Sequence, residues 1–419
     1  MKATIERVIS PVTKWWLSLS AASSDAFLYL ASGLFALLIG LVSSEPAQWH
    51  WGYISFTGYF FASALLFIAA KTKWSNAFSL RKIVLTTLVL GVVVIPLALE
   101  THWRQNNGGH GYAQPEVSVI ERSANNVVKG ADPYTVDVKN GKVIHSIRGL
   151  PTYESFFPYF PLMTIFGLPD AITHRGYGLT DARIVMSLLT IFVGLLALKL
   201  FRAKREQKLR IAQVLLALPT SAIFLATGGD DMPILALMFL GVVALQRKQI
   251  YVSALSIGIA SAMKLTAWPM VLGSLLVLRN KEFKGKWKQF AITCTVIVTA
   301  TILPFVFKAP HAFFANVFAF PLGLSGVMSP AASALPGHIL ATWWHPFRHI
   351  LPAGTLIIGG YFMASYLKKH WPLTLSKMLS LIGTCFLVLM SVSSATRFGY
   401  IIYPINFYLW SWATREQSV

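Results

Sequence analysis

Acidic residues are scarce in this chain. Its 419 residues include 16 Asp and Glu against 36 Lys and Arg, and charged side chains of every kind make up 12%. A soluble protein carries about a quarter charged residues, so a soluble surface of this size could not be covered. Cysteine is scarcer still. Cys294 and Cys385 both lie inside apolar runs, which argues against a disulfide framework and a cysteine zinc site. Internal repeats, low-complexity tracts and a pair of similar halves are all missing, and similar halves are the mark of many transporters.

What the chain has is apolar length. Hydrophobic residues make up 55% of it and the mean hydropathy is +0.59. Apolar runs lie near 26–44, 52–70, 83–99, 182–201, 211–227, 232–246, 250–263, 266–279, 289–306, 352–367, 375–393 and 399–413. A bilayer-spanning helix takes about 20 residues. The expectation is an all-α integral membrane protein of about twelve spans, a single polytopic domain over 1–419. The runs 250–263 and 266–279 are short, and form either a tight hairpin or one broken helix. The lead-in "MKATIERVISPVTKWW" is basic and amphipathic, and the first apolar run is long enough to remain an anchor, so no cleavable signal is expected.

The net charge of +20 is a membrane signal rather than a nucleic-acid one. The basic residues fall in short clusters between spans: Lys71, Lys73, Arg81 and Lys82; Arg202 to Arg210; Arg247 and Lys248; Arg279 to Lys288; Lys368 and Lys369. All fall on the side of the two termini, provided that 250–279 crosses and returns. Lys and Arg mark the cytoplasmic side. The sequence therefore implies a multi-pass plasma-membrane protein with both termini cytoplasmic. The opposite, external face holds the long segment 100–181, the turn "TGGDDMP", the apex at Lys264, the segment 307–351 and "SSATRFGY". Within 100–181, "ESFFPYFPLMTIFGLP" is too interrupted to span and suits a helix or loop lying in the interface.

The external face carries the candidate chemistry. "QPEVSVIERSANNVVKGADPYT" reads as a helix, with Pro115 in its first turn and Gly130 beyond its end. Glu116 heads the less polar face with Ile120, Ser123 and Val127, while Glu121 lies further round and can pair with Arg122 or Lys129. A carboxylate at a helix N-terminus is held ionised by the dipole, as a general base for a hydroxyl requires; the plainer role is a capping glutamate. Asp230 and Asp231 stand at a helix start, where they either cap it or bind a metal or sugar hydroxyl. Lys264, between two apolar half-spans, is an anion ligand or a snorkelling side chain. Arg397 and Tyr400 suit phosphate or an interfacial anchor. His110 and His338 are external histidines with no second feature beside them.

Together these residues put acid, base and cation on one face, which suits transfer chemistry on a phosphate-bearing lipid. In order along the chain, "EVSVIERSANNVVKGADPY", "FFPYFPL", "GGDDMPILALM", "AMKLTAWPMVL" and "RFGYIIYPINFYLW" resemble the motifs of the GT-C glycosyltransferases that include the polyprenol-phosphate-mannose-dependent mannosyltransferases, the glycosyltransferase 87 type. The matches cover most of residues 114–412. The resemblance implies a GT-C-type bundle with external interfacial helices in the first large loop. It implies an inverting glycosyltransferase with a polyprenyl-phosphate-linked donor sugar, often mannose, and a glycolipid or glycan acceptor. It assigns Glu116 as base and Lys264, Arg397 and Tyr400 to the donor phosphate. Glu121, Asp230, Asp231, His110 and His338 fall to the acceptor or sugar. No metal, cofactor or nucleic-acid partner is implied; membrane lipids are. The chain departs from the pattern in having Glu116 where Asp is usual and Ile120 where an aromatic is usual. The alternatives are a transporter or flippase of a lipid-linked anion, and an inactive GT-C-like scaffold. A transporter should place charge near the bilayer midplane, whereas here it gathers at one face.

Overall fold

The computed structural model describes residues 14–415 apart from 17, 108–110, 137, 140–141, 144–150, 175, 177 and 328–329. A helix lies over each of the twelve apolar runs. Seven of these are long and apolar enough to cross a membrane: Ala21–Val42, Pro46–Lys71, Ala77–Asn106, Ala182–Leu200, Trp287–Lys308, Ile350–Lys369 and Leu375–Val392. The bent pair Arg205–Ala217 and Pro219–Thr227 would make an eighth. The others are short. Asp231–Gln246 has 16 residues, and Ile250–Met263 and Ile402–Arg415 have 14 each. At 1.5 Å per residue, 14 residues reach only about 21 Å against a hydrocarbon core of about 30 Å. Length therefore separates Asp231–Gln246 and Ile250–Met263 from the seven, not polarity. The only β-ladder among the described residues is two residues long, Val138–Lys139 with Lys142–Val143.

Contacts gather the chain into two compact units. The first comprises residues 1–113 and 215–227. Its Ala21–Val42 and Pro46–Lys71 form an antiparallel hairpin packed backbone to backbone. A Cβ on Gly52 would stand 2.4 Å from the Gly40 nitrogen and 2.6 Å from the Ala36 oxygen, so only glycine fits there. A buried Asp25–Arg81 pair at 2.6 Å links this hairpin to Ala77–Asn106. That helix contains a π turn, Leu90–Val94, and the indole N–H of Trp51 donates to its Val92 carbonyl at 2.8 Å.

The second unit comprises residues 114–214 and 228–419. Asp231–Gln246 is apolar around its whole circumference and almost wholly buried, as a helix with no polar face must be. It packs against Ala182–Leu200 and Ile250–Met263, and Phe239 stacks on Trp410 of Ile402–Arg415 at 5.1 Å between ring centroids. The helix expected from "QPEVSVIERSANNVV" is Pro115–Val128. It rests on a 3₁₀ turn, Pro161–Gly167. The aromatic run before this turn and the turn itself pack into the protein: Phe156, Phe157, Tyr159 and Phe160 of the run and Met163 and Phe166 of the turn are all buried. They fill the space under the polar helix, and Asn316 satisfies the local backbone by accepting from the Phe157 N–H and donating to the Val136 carbonyl.

Candidate active site

Five chain segments of the second unit meet at one cluster. Glu116 enters from the first turn of Pro115–Val128. Asp230 and Asp231 enter from the turn that starts Asp231–Gln246. That turn needs glycine at 228, where φ is +103° and a Cβ would stand 2.2 Å from Val117 Cγ2 and 2.7 Å from Arg183 Cγ. The close approach fixes the two aspartates relative to the neighbour of Glu116. Capping, one role the sequence left open for Asp230, is not what the carboxylates do: Asp230 is the N-cap residue but makes no side-chain cap bond.

Both aspartates instead hold Lys264. Its Nζ donates to Asp230 Oδ2 at 2.6 Å and to Asp231 Oδ1 at 2.5 Å. Lys264 sits in an extended break between Ile250–Met263 and the 3₁₀ turn Leu265–Ala267. The break leaves the Met263 carbonyl free, and the Phe160 N–H takes it at 3.0 Å. That bond fastens the aromatic run to the break and sets the Tyr159 ring 5.4 Å from Lys264 Nζ, within cation–π range. Asp231 Oδ1 also accepts from the Tyr403 hydroxyl at 2.5 Å, which in turn shares a hydrogen bond of 2.8 Å with Thr266.

Arg397 completes the cluster by donating to Glu116 Oε1 at 2.6 Å. Its backbone is held extended by the 331–333 strap. Ser333 N–H donates to Thr396 O, Thr396 N–H to Ala331 O, and Phe398 N–H to Ser333 Oγ. The other oxygen of Glu116, Oε2, is buried and has no hydrogen-bond partner. A buried acceptor left open normally costs stability, so its presence in a cluster of charged groups points to function.

Three carboxylates and two cations thus stand together. Burial pushes the Tyr159 hydroxyl well above its usual range, and the charges of Asp230, Glu116 and Asp231 add to that. Tyr159 is therefore a neutral donor among ions. Burial also pushes the Asp230 carboxyl up, against the pull of Lys264. Such a cluster can take a proton, neutralise an anion and present hydroxyl donors. Among the described residues, no group of three or more His, Cys, Asp and Glu side chains is placed to hold a metal ion.

Of the residues singled out from sequence, Glu116, Asp230, Asp231, Lys264 and Arg397 meet here. Tyr400 lies within electrostatic reach of both Lys264 and Arg397. Glu121 does not join them. It was expected away from the apolar face, yet it is buried, because its Oε1 accepts the Ala182 N–H at 3.1 Å and so caps Ala182–Leu200 from outside. His338 donates through Nδ1 to the Ser394 carbonyl at 2.7 Å, bracing the segment before Arg397. His110 lies outside the described residues. Tyr159, Thr266 and Tyr403 were not singled out. Tyr159 and Tyr403 stood inside the quoted motifs "FFPYFPL" and "IIYPINF", where an aromatic residue looks like core or an interfacial belt.

A family model of glycosyltransferase family 87 matches residues 157–392. The match holds Tyr159, Asp230, Asp231, Lys264 and Thr266, while Glu116, Arg397 and Tyr403 fall outside it. No curated protein matches the chain. Among solved structures, ArnT from Cupriavidus metallidurans, bound to undecaprenyl phosphate, is similar at 14% identity and a TM-score of 0.44. The similarity covers 78% of this chain and 59% of that one, so the chain spans under two thirds of its length.

Proposed function

The chain belongs to glycosyltransferase family 87, and from that premise we propose that it moves a sugar from a polyprenyl-phosphate-linked donor to a hydroxyl of an external glycolipid or glycan. Mannose is the sugar that the motif resemblance favours. Glu116 is the base. The acceptor hydroxyl gives its proton to Glu116 Oε2 while its oxygen forms the new bond to the anomeric carbon. The bond from that carbon to the phosphate oxygen breaks on the opposite side, and the anomeric configuration inverts. The phosphate leaves with the electron pair towards Lys264 and Arg397, with Tyr400 beside them. The observation that carries this reading is the state of the Glu116 carboxylate: Arg397 holds one oxygen and the other is buried and open. A merely capping glutamate would not be held in this way.

Glu116→Gln keeps the shape and removes the base. General-base assistance is worth about 10²–10⁴-fold, so turnover should fall by that order while donor binding persists. Turnover within a few-fold of wild type would remove Glu116 from the chemistry.

The same reading places the active site outside, in a GT-C-type bundle of about twelve passes with both termini cytoplasmic, as the basic clusters indicate. Cysteine placed at Asn140 should react with an impermeant reagent on intact cells, and cysteine at the exposed Arg205 should be protected. The reverse pattern would put every residue of the cluster in the wrong compartment.

A further inference from the structure

The charges of the cluster do not balance, and the imbalance grows when a donor arrives. Glu116, Asp230 and Asp231 face Lys264 and Arg397, three carboxylates to two cations. Lys264 has three N–H donors. Two are spent on Asp230 and Asp231, and the ammonium also faces the Tyr159 ring. Its third N–H can meet a phosphate oxygen, and the one ammonium is then shared among three anions, so that a phosphate drawing it closer takes it from a carboxylate. The two aspartates differ in what they would keep. Asp231 retains the Tyr403 hydroxyl, itself backed by Thr266. Asp230 has Lys264 as its hydrogen-bond partner, and its side chain is only 10% exposed. A charge so enclosed is costly once its counter-ion leaves, and a phosphodiester brings a further negative charge with it.

Resting on the donor proposed above, we propose that the donor phosphate enters together with one proton, which Asp230 takes up as Lys264 passes from the two aspartates to the phosphate. The hand-over converts an ion pair that belongs to the protein into one that belongs to the substrate. It leaves Asp230 as a neutral acid able to donate a hydrogen bond. No bond to carbon or phosphorus changes in this step, and the proton comes from solvent.

Every charged or titratable group around Asp230 bears on the sign. Lys264, at the break between helices, favours the ionised form. Asp231 on the same turn and Glu116 on Pro115–Val128 oppose it. The buried Tyr159 and Tyr403 and the half-buried Tyr400 lie within electrostatic reach of it, and Arg397 is held by Glu116. In the free protein, burial already raises the Asp230 carboxyl despite Lys264. Removing Lys264 raises it further. The proton is therefore bound in the window between those two titrations. Donor affinity is level below the window, weakens as pH rises through it, and is lowest above it.

The test uses the full chain in detergent with a short polyprenyl methyl phosphodiester, which carries one negative charge throughout the range and so adds no titration of its own. As pH rises above about 6, its Kd should weaken by up to about tenfold per pH unit until the window closes. Calorimetry in two buffers of different ionisation enthalpy should show close to one proton taken up on binding. Asp230→Asn should bind the probe without uptake and with little pH dependence, whereas Asp231→Asn should still take up the proton. Saturable wild-type binding with no uptake overturns the proposal and leaves the polyprenyl-phosphate donor standing. Uptake that survives in Asp230→Asn and disappears in Asp231→Asn also overturns it. No binding at any pH removes the donor reading and this proposal with it. The wild-type measurement decides the matter even where a variant fails to fold.

Discussion

Two sets of charges in the second unit, one fully buried and one partly so, differ in how they are built. Asp181 and Arg183 are two residues apart and fully enclosed. The guanidinium Nε donates to Asp181 Oδ1 at 3.0 Å and Nη2 donates to Oδ2 at 2.9 Å, and the Arg183 N–H also reaches Oδ1. One guanidinium meets both oxygens of one carboxylate two residues away. The Glu116, Asp230, Asp231, Lys264 and Arg397 set is drawn from across the chain; Glu116 and Arg397 alone are 281 residues apart. It carries one carboxylate more than its cations, and Glu116 Oε2 is left open. A pair that only holds the fold gains nothing from an open oxygen. A site that must accept a proton and release an anion requires both the opening and the surplus.

Breaking the closed pair tests that contrast most severely. Arg183→Met would take the guanidinium away from the buried Asp181, and removing one partner of a buried pair costs about 3–5 kcal/mol. The expected outcome is a large fall in the apparent Tm of the detergent-solubilised protein, with the folded fraction still binding donor. An unchanged Tm would erase the distinction, since the pair would then contribute no more than an exposed one.

The open set should respond in the opposite way. A charge-assisted bond to phosphate is worth about 1.5–3 kcal/mol, so Lys264→Met should weaken donor affinity by about tenfold or more. The change in Tm should be small beside that of Arg183→Met, because Asp231 keeps the Tyr403 hydroxyl and burial already raises the Asp230 carboxyl towards its neutral form. Equal loss of stability in the two variants, with donor affinity retained in Lys264→Met, would make Lys264 a structural ion like Arg183.

This contrast also marks what the sequence makes legible. Helix positions follow from hydropathy, and every apolar run has its helix. The charge of Lys264 between two apolar half-spans, and of Asp230 and Asp231 at a helix start, identifies them as unusual without any structure. Their pairing does not follow. Periodicity reports which face of a helix a residue is on, and carries nothing about a partner 34 residues away, as for Lys264 and Asp230. Tyr159 and Tyr403 were invisible for a related reason, since a tyrosine in an apolar run looks the same whether its hydroxyl meets lipid headgroups or Asp231. Span count is legible only in part: seven helices qualify on length and composition, while Ile250–Met263, at 14 residues, does not by itself reach across the bilayer core.

The smallest expected effect concerns the two glutamates of Pro115–Val128, and it discriminates best between them. Amphipathicity put Glu116 on the working face and Glu121 off it. The structure half-buries Glu116 in the cluster and buries Glu121 elsewhere: Glu121 gives its Oε1 to the Ala182 N–H at the start of Ala182–Leu200. An anion there also complements the helix dipole, which is worth about 0.3–1 kcal/mol. Glu121→Gln keeps a carbonyl oxygen in place for Ala182 and loses only the charge. It should lower the apparent Tm slightly and leave turnover within about twofold, because dipole complementation of that size acts on the fold and not on the reacting oxygen. Glu121→Ala removes the acceptor as well and should lower the Tm further, still without loss of donor affinity. Should Glu121→Gln cut turnover by the order expected of Glu116→Gln, while Glu116→Gln leaves it intact, the base would be Glu121. The ion pair between Glu116 and Arg397 would then be the second closed pair of the unit, and its open oxygen an ordinary cost of packing.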